Sequence, residues 1–398
     1  MAAGLDTFQR GSGRRSVANA AACIDAQVAP LGAEDVSIDE AAERVAARDV
    51  VASIEVPPSD IAVFDGLAVR AEDTIGASTY NPLSFHILSC GNSLLPNTGM
   101  HVRSGDALPR GADAIVPQEH VEQSSSNAFE VIEPIGPGSG VQRRGSQFSP
   151  GMTLLPAGRM LGSVDVGLLA AAGVPEISVI RRPRVRAILA AVRPTSACEP
   201  LLNSLVRRDG ATLELCHVEG HKSALHDSIR GDGADLTIVV GATPSDSDEA
   251  VAAIPSTADG LFRGVALIPG EMTVFGLIGR HPVFFLPTTL ADCLWAYEFL
   301  AGRAVRRLAG RNPGLPHRTR VMTAARKIVS SIGTTEVRPV RFLSQNSVEP
   351  VISFAEAGLG ATLRADGFVV VPDNSEGFSE GAALTVHVLR ESSEGAPT

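Results

Sequence analysis

The run Pro57-Pro58-Ser59-Asp60-Ile61-Ala62-Val63-Phe64-Asp65-Gly66 sets one carboxylate, Asp65, inside a stiff apolar stretch. Two prolines fix the chain before it, and Gly66 lets the backbone turn or approach a ligand closely. A carboxylate placed before its ligand arrives suits metal-linked or phosphate-linked chemistry. The same Asp-Gly pair is also an ordinary turn, and local pattern alone favours that plainer reading. A second polar loop, Arg103-Ser104-Gly105-Asp106, leads through Gly111 and Asp113 into the apolar run Ala114–Pro117. Asp113 there reads as a turn cap. After the apolar run Leu236–Val240 comes a third loop, Gly241-Ala242-Thr243-Pro244-Ser245-Asp246-Ser247-Asp248. Asp246 and Asp248 offer weak cation ligands, although acidic loops are more often simply solvated.

Two other constellations carry less. Cys216, His217, His221 and His226 lie close in sequence, but strand alternation sends Cys216 and His217 to opposite faces, against a shared metal. Gly136-Pro137-Gly138-Ser139-Gly140 resembles a phosphate loop, yet no helix opens after it.

These loops need a frame. Apolar spacing predicts helices over Ser16–Ala29 and Ser37–Arg48, the second with Glu40 three residues after Ser37, a capping-box spacing. Short β-rich runs between turn residues fill 54–141: Leu83–Cys90, His101–Val102, Ala114–Pro117 and Ala128–Ile135. A helix over Ser163–Ala172 turns Val164, Leu168 and Leu169 inward and ends at Gly173. Strands at Arg184–Val192, Thr212–Val218, Leu236–Val240, Val265–Ile268 and Val283–Leu286 alternate with helices at Pro200–Asp209, Lys222–Arg230 and Asp292–Arg307. That alternation predicts an open α/β sheet, which binds ligands beyond its strand carboxyl ends. Past a Pro/Gly-rich linker, Arg311–His317, five further strands over 318–390 predict a small barrel or sandwich. The fold class is multidomain α+β. Its parts are a helical linker subdomain (16–53 with 142–182), a β-rich subdomain (54–141), an α/β three-layer domain (183–310) and a C-terminal small β-barrel domain (318–391).

Bulk composition narrows the function classes. The chain has 398 residues, 44% hydrophobic and 20% charged, with formal net charge −10. No basic stripe is present, so nucleic acid is not expected as partner. Lys222 and Lys327 are the only lysines. Five scattered cysteines without a C-x-x-C pair read as reduced thiols. The start lacks a signal-peptide pattern and no apolar run is long enough for a membrane span, so a cytoplasmic protein is expected.

The order of parts and several segments together resemble the molybdopterin molybdenumtransferase (MoeA, gephyrin E-domain) family. Ala62–Arg70 is similar to its S-A-M-D-G-Y-A-V-R segment, keeping Ala62 and Asp65-Gly66, with Phe64 in place of methionine. Arg103–Glu119 resembles T-G-x-x-x-P-x-G-A-D-A-V-V-x-x-E, with Ser104 for threonine. Arg144-Gly145, Gly151 and Pro156–Leu161 resemble the stretch entering the α/β domain, and Ala355–Pro372 resembles S-G-x-L-x-S-L-A-x-A-D-G. The resemblance implies insertion of molybdenum, from molybdate, into adenylylated molybdopterin with Mg2+, by an elongated homodimer. Its active cleft would lie between the α/β domain of one subunit and the β domain of the other. Asp65 would act there, Ser104 and Gly105 would contact the ligand from the same domain, and Gly241 and Ser245 from the α/β domain, which is then molybdopterin-binding-like.

The α/β domain departs from the family pattern. T-G-D/E-E-L becomes Ala190-Ala191-Val192-Arg193-Pro194-Thr195, and G-G-V-S-x-G-x-x-D becomes Gly241–Asp248. K-P-G-K-P becomes Ile268-Pro269-Gly270-Glu271-Met272, and L-P-G-N-P becomes Leu286-Pro287-Thr288-Thr289-Leu290. R-x-x-G-x-D becomes Arg144-Gly145-Ser146-Gln147. Two lysines give way to one glutamate, and each charge-assisted anion contact is worth about 1–3 kcal/mol. The alternative expectation is therefore a non-catalytic homologue, a dimeric binding or scaffold protein for a cofactor or a molybdoenzyme.

Overall fold

In the computed structural model, which describes residues 14–88, 93–125, 127–190, 197–218, 228–229, 233–241, 262–351, 362 and 364–390, the chain divides into two compact units. The smaller comprises Asp35–Ala42 and Ala46–Ser178; the larger comprises Met1–Glu34, Glu43–Val45 and Val179–Thr398. Among the described residues strands far outnumber helices.

Strand Gly66–Val69 runs through the smaller unit's six-stranded sheet, ordered 114–117, 66–69, 98–102, 83–87, 128–131, 121–125. It pairs antiparallel on both sides, Gly66 opposite Val102 and Pro117, Ala68 opposite Met100 and Ile115. Both faces of this strand are covered. Leu67 and Val69 join Phe85, Val116 and Phe129 in one core, while Ala68 joins Ala62, Val102 and Ile115 in another. That explains why 66–69 is apolar throughout instead of alternating. Gly66 is required sterically, since a Cβ there would stand 2.2 Å from the Val116 carbonyl oxygen.

Two expectations for helices need correction. Ser37–Arg48 is not a helix: a 3-10 turn covers Ile38–Glu40, and Ser37 makes no side-chain cap. Glu43 takes φ +62°, which breaks any helical run. The Ala46 and Ala47 N–H groups donate instead to Arg159 O and Ser178 O, each at 2.9 Å. Helix Ser163–Ala171 forms as expected, with Asp165 accepting the Gly162 N–H at 2.8 Å and Arg159 at 2.7 Å. Leu169 is buried as expected and Asp165 with it, but Val164 is 75% and Leu168 50% exposed, against the expectation that both turn inward.

The larger unit carries a second six-stranded sheet, ordered 212–217, 184–189, 236–240, 281–286, 274–278, 262–263. The first four strands are parallel and nearly all apolar in the centre, the pattern of a sheet covered on both faces. Val274–Ile278 forms a hairpin with His281–Leu286 across Gly279 (φ +65°), a strand the sequence reading left unassigned. Val265–Ile268 is not a strand of this sheet. Leu267–Ile268 pairs with Thr335–Glu336 and belongs to the C-terminal sheet. The expected helix Lys222–Arg230 lies mostly outside the described residues.

Helix Val17–Gln27, capped by Ser16, buries Ala20 and Ile24 in the same core as Leu202, Phe284 and Trp295. The closing helix runs Leu290–Ala296, widens to a π turn at Tyr297–Ala301, and continues Gly302–Leu308. Strands 335–344, 347–350, 319–324, 383–388 and 367–371 close into a five-stranded barrel by the pairing of 335–344 with 367–371. Met322, Val340, Val348, Val369 and Leu384 fill it. Val337 and Phe368 belong instead to the α/β core, where Phe368 meets Trp295 at 4.6 Å between ring centroids.

Candidate functional site

Asp65 is the residue just before strand Gly66–Val69, the second strand of the smaller unit's six-stranded sheet. Gly66 faces Val102 across the ladder, so the chain leaving Val102 returns beside Asp65. The Ser104 N–H donates to Asp65 Oδ1 at 2.8 Å, and the Ser104 hydroxyl donates to Val63 O at 2.9 Å. Gly105, at φ +89°, donates its N–H to Ala62 O at 2.8 Å. Asp65, Ser104 and Gly105 are thus brought together, all three exposed. Among the described residues Asp65 Oδ2 has no protein donor, so one oxygen is pinned and the other faces solvent.

Asp60, which sequence reasoning did not single out, braces this turn. Its Oδ1 accepts the Arg144 N–H at 2.7 Å, its Oδ2 accepts Arg143 Nη1 at 2.9 Å, and its carbonyl accepts the Leu108 N–H at 2.8 Å. The Arg144 N–H, then the Arg143 guanidinium, hold the Asp60 carboxyl below the usual carboxylate range against a burial effect of opposite sign. Arg144 also pairs with Glu55. Asp113 accepts the Ala71 N–H at 2.7 Å and so braces the Ala71–Thr74 turn, away from any ligand role.

In the larger unit, Leu189, Val240 and Leu286 end the parallel strands side by side. Gly241, at φ +101°, follows Val240 there. Ser245, Asp246 and Asp248 lie outside the described residues, as do His221 and His226. The turn Pro287–Thr289 leads into helix Leu290–Ala296, whose N-terminus Thr289 caps. Asp292 Oδ1 accepts the Gly270 N–H at 2.9 Å, tying loop 268–272 to that helix. Glu271 pairs with Arg14 at 2.7 Å. Cys198, first residue of helix Cys198–Arg208, is buried and donates to Thr288 O at 3.7 Å. Contact with Cys293 lowers its thiol pKa, while the same contact, then burial, raises that of Cys293. Arg14 was invisible to sequence reasoning: its partner lies 257 positions away.

The described residues do not fit a Mg2+ site on their own, because no cluster of three or more His, Cys, Asp or Glu forms among them. On the two segments that meet at this turn, Asp60 is already engaged by two arginines and Asp106 by the Arg103 N–H at 2.8 Å.

Comparison with known proteins finds relatives over most of the chain. The family profile described as MoeA N-terminal region (domain I and II) matches residues 15–173. Molybdopterin molybdenumtransferase 2 of Mycobacterium tuberculosis is 28% identical, the match spanning 88% of this chain and 94% of that protein. Molybdopterin molybdenumtransferase of Staphylococcus aureus is 23% identical over 92% of this chain and 93% of its own. The crystal structure of the molybdopterin biosynthesis MoeA protein from Pyrococcus horikoshii superposes with TM-score 0.78 at 26% identity, covering 95% of this chain and all of that one.

Proposed function

Because the chain belongs to the molybdopterin molybdenumtransferase (MoeA) family, we propose that it inserts molybdenum, taken from molybdate, into molybdopterin or its adenylylated form during molybdenum cofactor biosynthesis. The observation that carries this reading is the full-length likeness to a MoeA structure, at TM-score 0.78, in a chain that also holds Asp65 pinned by Ser104.

Replacing an oxo group of molybdate by a pterin thiolate releases water and consumes protons. Asp65 Oδ2 is the open oxygen that relays them, while the Ser104 N–H on Oδ1 fixes the carboxylate plane. Ser104 and Gly105 form the wall of this turn, and Gly241 and Ser245 contact the pterin's phosphate side. A divalent cation, Mg2+ by resemblance, would have to draw on Asp246 and Asp248. The division into 16–53 with 142–182, 54–141, 183–310 and 318–391 is the domain layout we adopt.

The working form is a cytoplasmic homodimer that passes its product to a molybdoenzyme. No helix among the described residues is long and apolar enough to cross a membrane. The dimer reading is supported by the exposed side chains of Met160 (55%), Val164 (75%) and Leu168 (50%) on and beside one helix, an apolar face that a second copy would cover.

The test is metal insertion by the purified protein, read as activation of an apo-molybdoenzyme supplied with adenylylated molybdopterin and molybdate. Wild type should activate it and Asp65→Ala should not, at unchanged melting temperature. An inert wild type that also fails to complement a strain lacking its molybdenumtransferase would end the reading.

A further inference from the structure

The register of the larger unit's sheet carries an edge of unassigned chemistry. Phe285 stands opposite Val239 on one side and Val274 on the other, and Val274 stands opposite Arg263. Arg263 and the 268–272 loop therefore lie at the carboxyl end of the parallel strands, where open α/β sheets take their ligands. The N-terminal segment is fastened to the same edge. The Arg15 N–H donates to Gly264 O at 3.4 Å, and the Ala266 N–H donates to Arg15 O at 2.8 Å. This lays the Arg14 guanidinium against Glu271, at 2.7 Å.

Loop 268–272 has lost the lysines that the family pattern carries, and its own charged residue is Glu271. The positive charge returns from elsewhere in the chain, 257 positions away. Both anion-holding groups at this loop end on the protein's own carboxylates: the Gly270 N–H on Asp292, and Arg14 on Glu271. The two pairs differ in how firmly they are held. Asp292 is built into a helix cap with Thr289. The Arg14–Glu271 pair is open to water, its side chains 30% and 42% exposed. An exposed pair of this kind is worth about 0–1 kcal/mol, so a multiply charged anion displaces the carboxylate at little cost. A guanidinium also matches phosphate geometry through two parallel donors.

We infer that Arg14 binds the phosphate-bearing part of the ligand at the carboxyl edge of the α/β sheet, with Glu271 as the resident carboxylate that the ligand displaces. The inference rests on the proposed molybdopterin reading for the identity of the ligand, and on the geometry alone for its charge. Arg14 is a ligand-positioning residue; it takes no part in bond making.

Calorimetric titration of the full chain with inorganic pyrophosphate tests this. Arg14→Gln should weaken binding by about tenfold or more, and Arg14→Lys should recover part of the loss. Glu271→Gln, which frees the guanidinium, should tighten binding severalfold. In the insertion assay, Arg14→Gln should raise the KM for the pterin and leave kcat in place. Unchanged pyrophosphate affinity in Arg14→Gln, or no binding by Glu271→Gln, overturns the inference. Arg14-dependent binding without metal insertion would sink the transferase reading alone; insertion with an unchanged KM in Arg14→Gln would sink the inference alone. Melting curves of all variants show whether any effect is one of folding.

Discussion

At the scale of single residues, the smaller unit's site depends on close backbone approach. A methyl group at position 66 would meet the Val116 carbonyl at 2.2 Å and the Ile115 side chain at 2.9 Å. Gly66→Ala should therefore destabilise the protein by about 3 kcal/mol or more, read as a lower urea midpoint. Asp60 makes a second residue-scale prediction. Its folded pKa is depressed by the Arg144 N–H and the Arg143 guanidinium, so its stabilising effect is present above the unfolded value of about 3.9 and fades as pH falls through the lower folded value. Asp60→Asn should flatten the acid limb of a stability-against-pH curve and leave its slope near neutrality unchanged. The turn carrying Asp65 was legible in the sequence because proline and glycine fix the backbone around it. Asp60 and Arg14 were not, because their roles come from Arg143, Arg144 and Glu271, which only the fold brings near.

At the scale of elements, periodicity found what burial decides and missed what pairing decides. The parallel strands and the C-terminal barrel were readable as apolar runs between turn residues. Ser37–Arg48 carried a helical stripe, yet its buried Ala41, Val45 and Ala46 serve irregular backbone broken at Glu43. Leu267–Ile268 looked like its α/β neighbours because two apolar residues cannot say which sheet they join. The helix through 290–308 holds a buried ion network that the sequence did not announce. Arg306 donates to Asp209 at 2.7 Å, and Arg208 grips Glu298 at 2.6 and 3.0 Å, beside the π turn. Asp209 and Arg306 are both almost wholly buried. Asp209→Ala would strand the Arg306 charge and should lower stability by about 3–5 kcal/mol, checked by denaturant unfolding. Thr289→Ala, which removes the cap and the hydroxyl's bond to the Asp292 carboxylate, should lower it by about 1 kcal/mol.

At the scale of the whole molecule, pH and association are the two readable levers. Burial, the leading cause, depresses the pKa of His317 and of His387. The groups facing His317 are Glu298, Arg208, Arg306 and Asp209, and His387 faces His317. A depressed histidine contributes stability that is complete above the unfolded value of about 6.5 and falls away as pH drops toward the lower folded value. The melting temperature should decline from pH 7 to pH 5, and His387→Phe, which keeps the stack on Phe368, should reduce that decline. The exposed face of helix Ser163–Ala171 yields the association prediction: Leu168→Glu should abolish the proposed dimer in sedimentation, with unit folding intact.

Phe368 reaches out of its own barrel to rest on Trp295, and Leu267–Ile268 crosses the other way to line the barrel's edge. Severing the polypeptide at the 311–317 connector would leave each fragment with an unfilled socket and an unsheltered indole or phenyl ring. Expressed apart, the two fragments should aggregate; expressed together, they should reassemble.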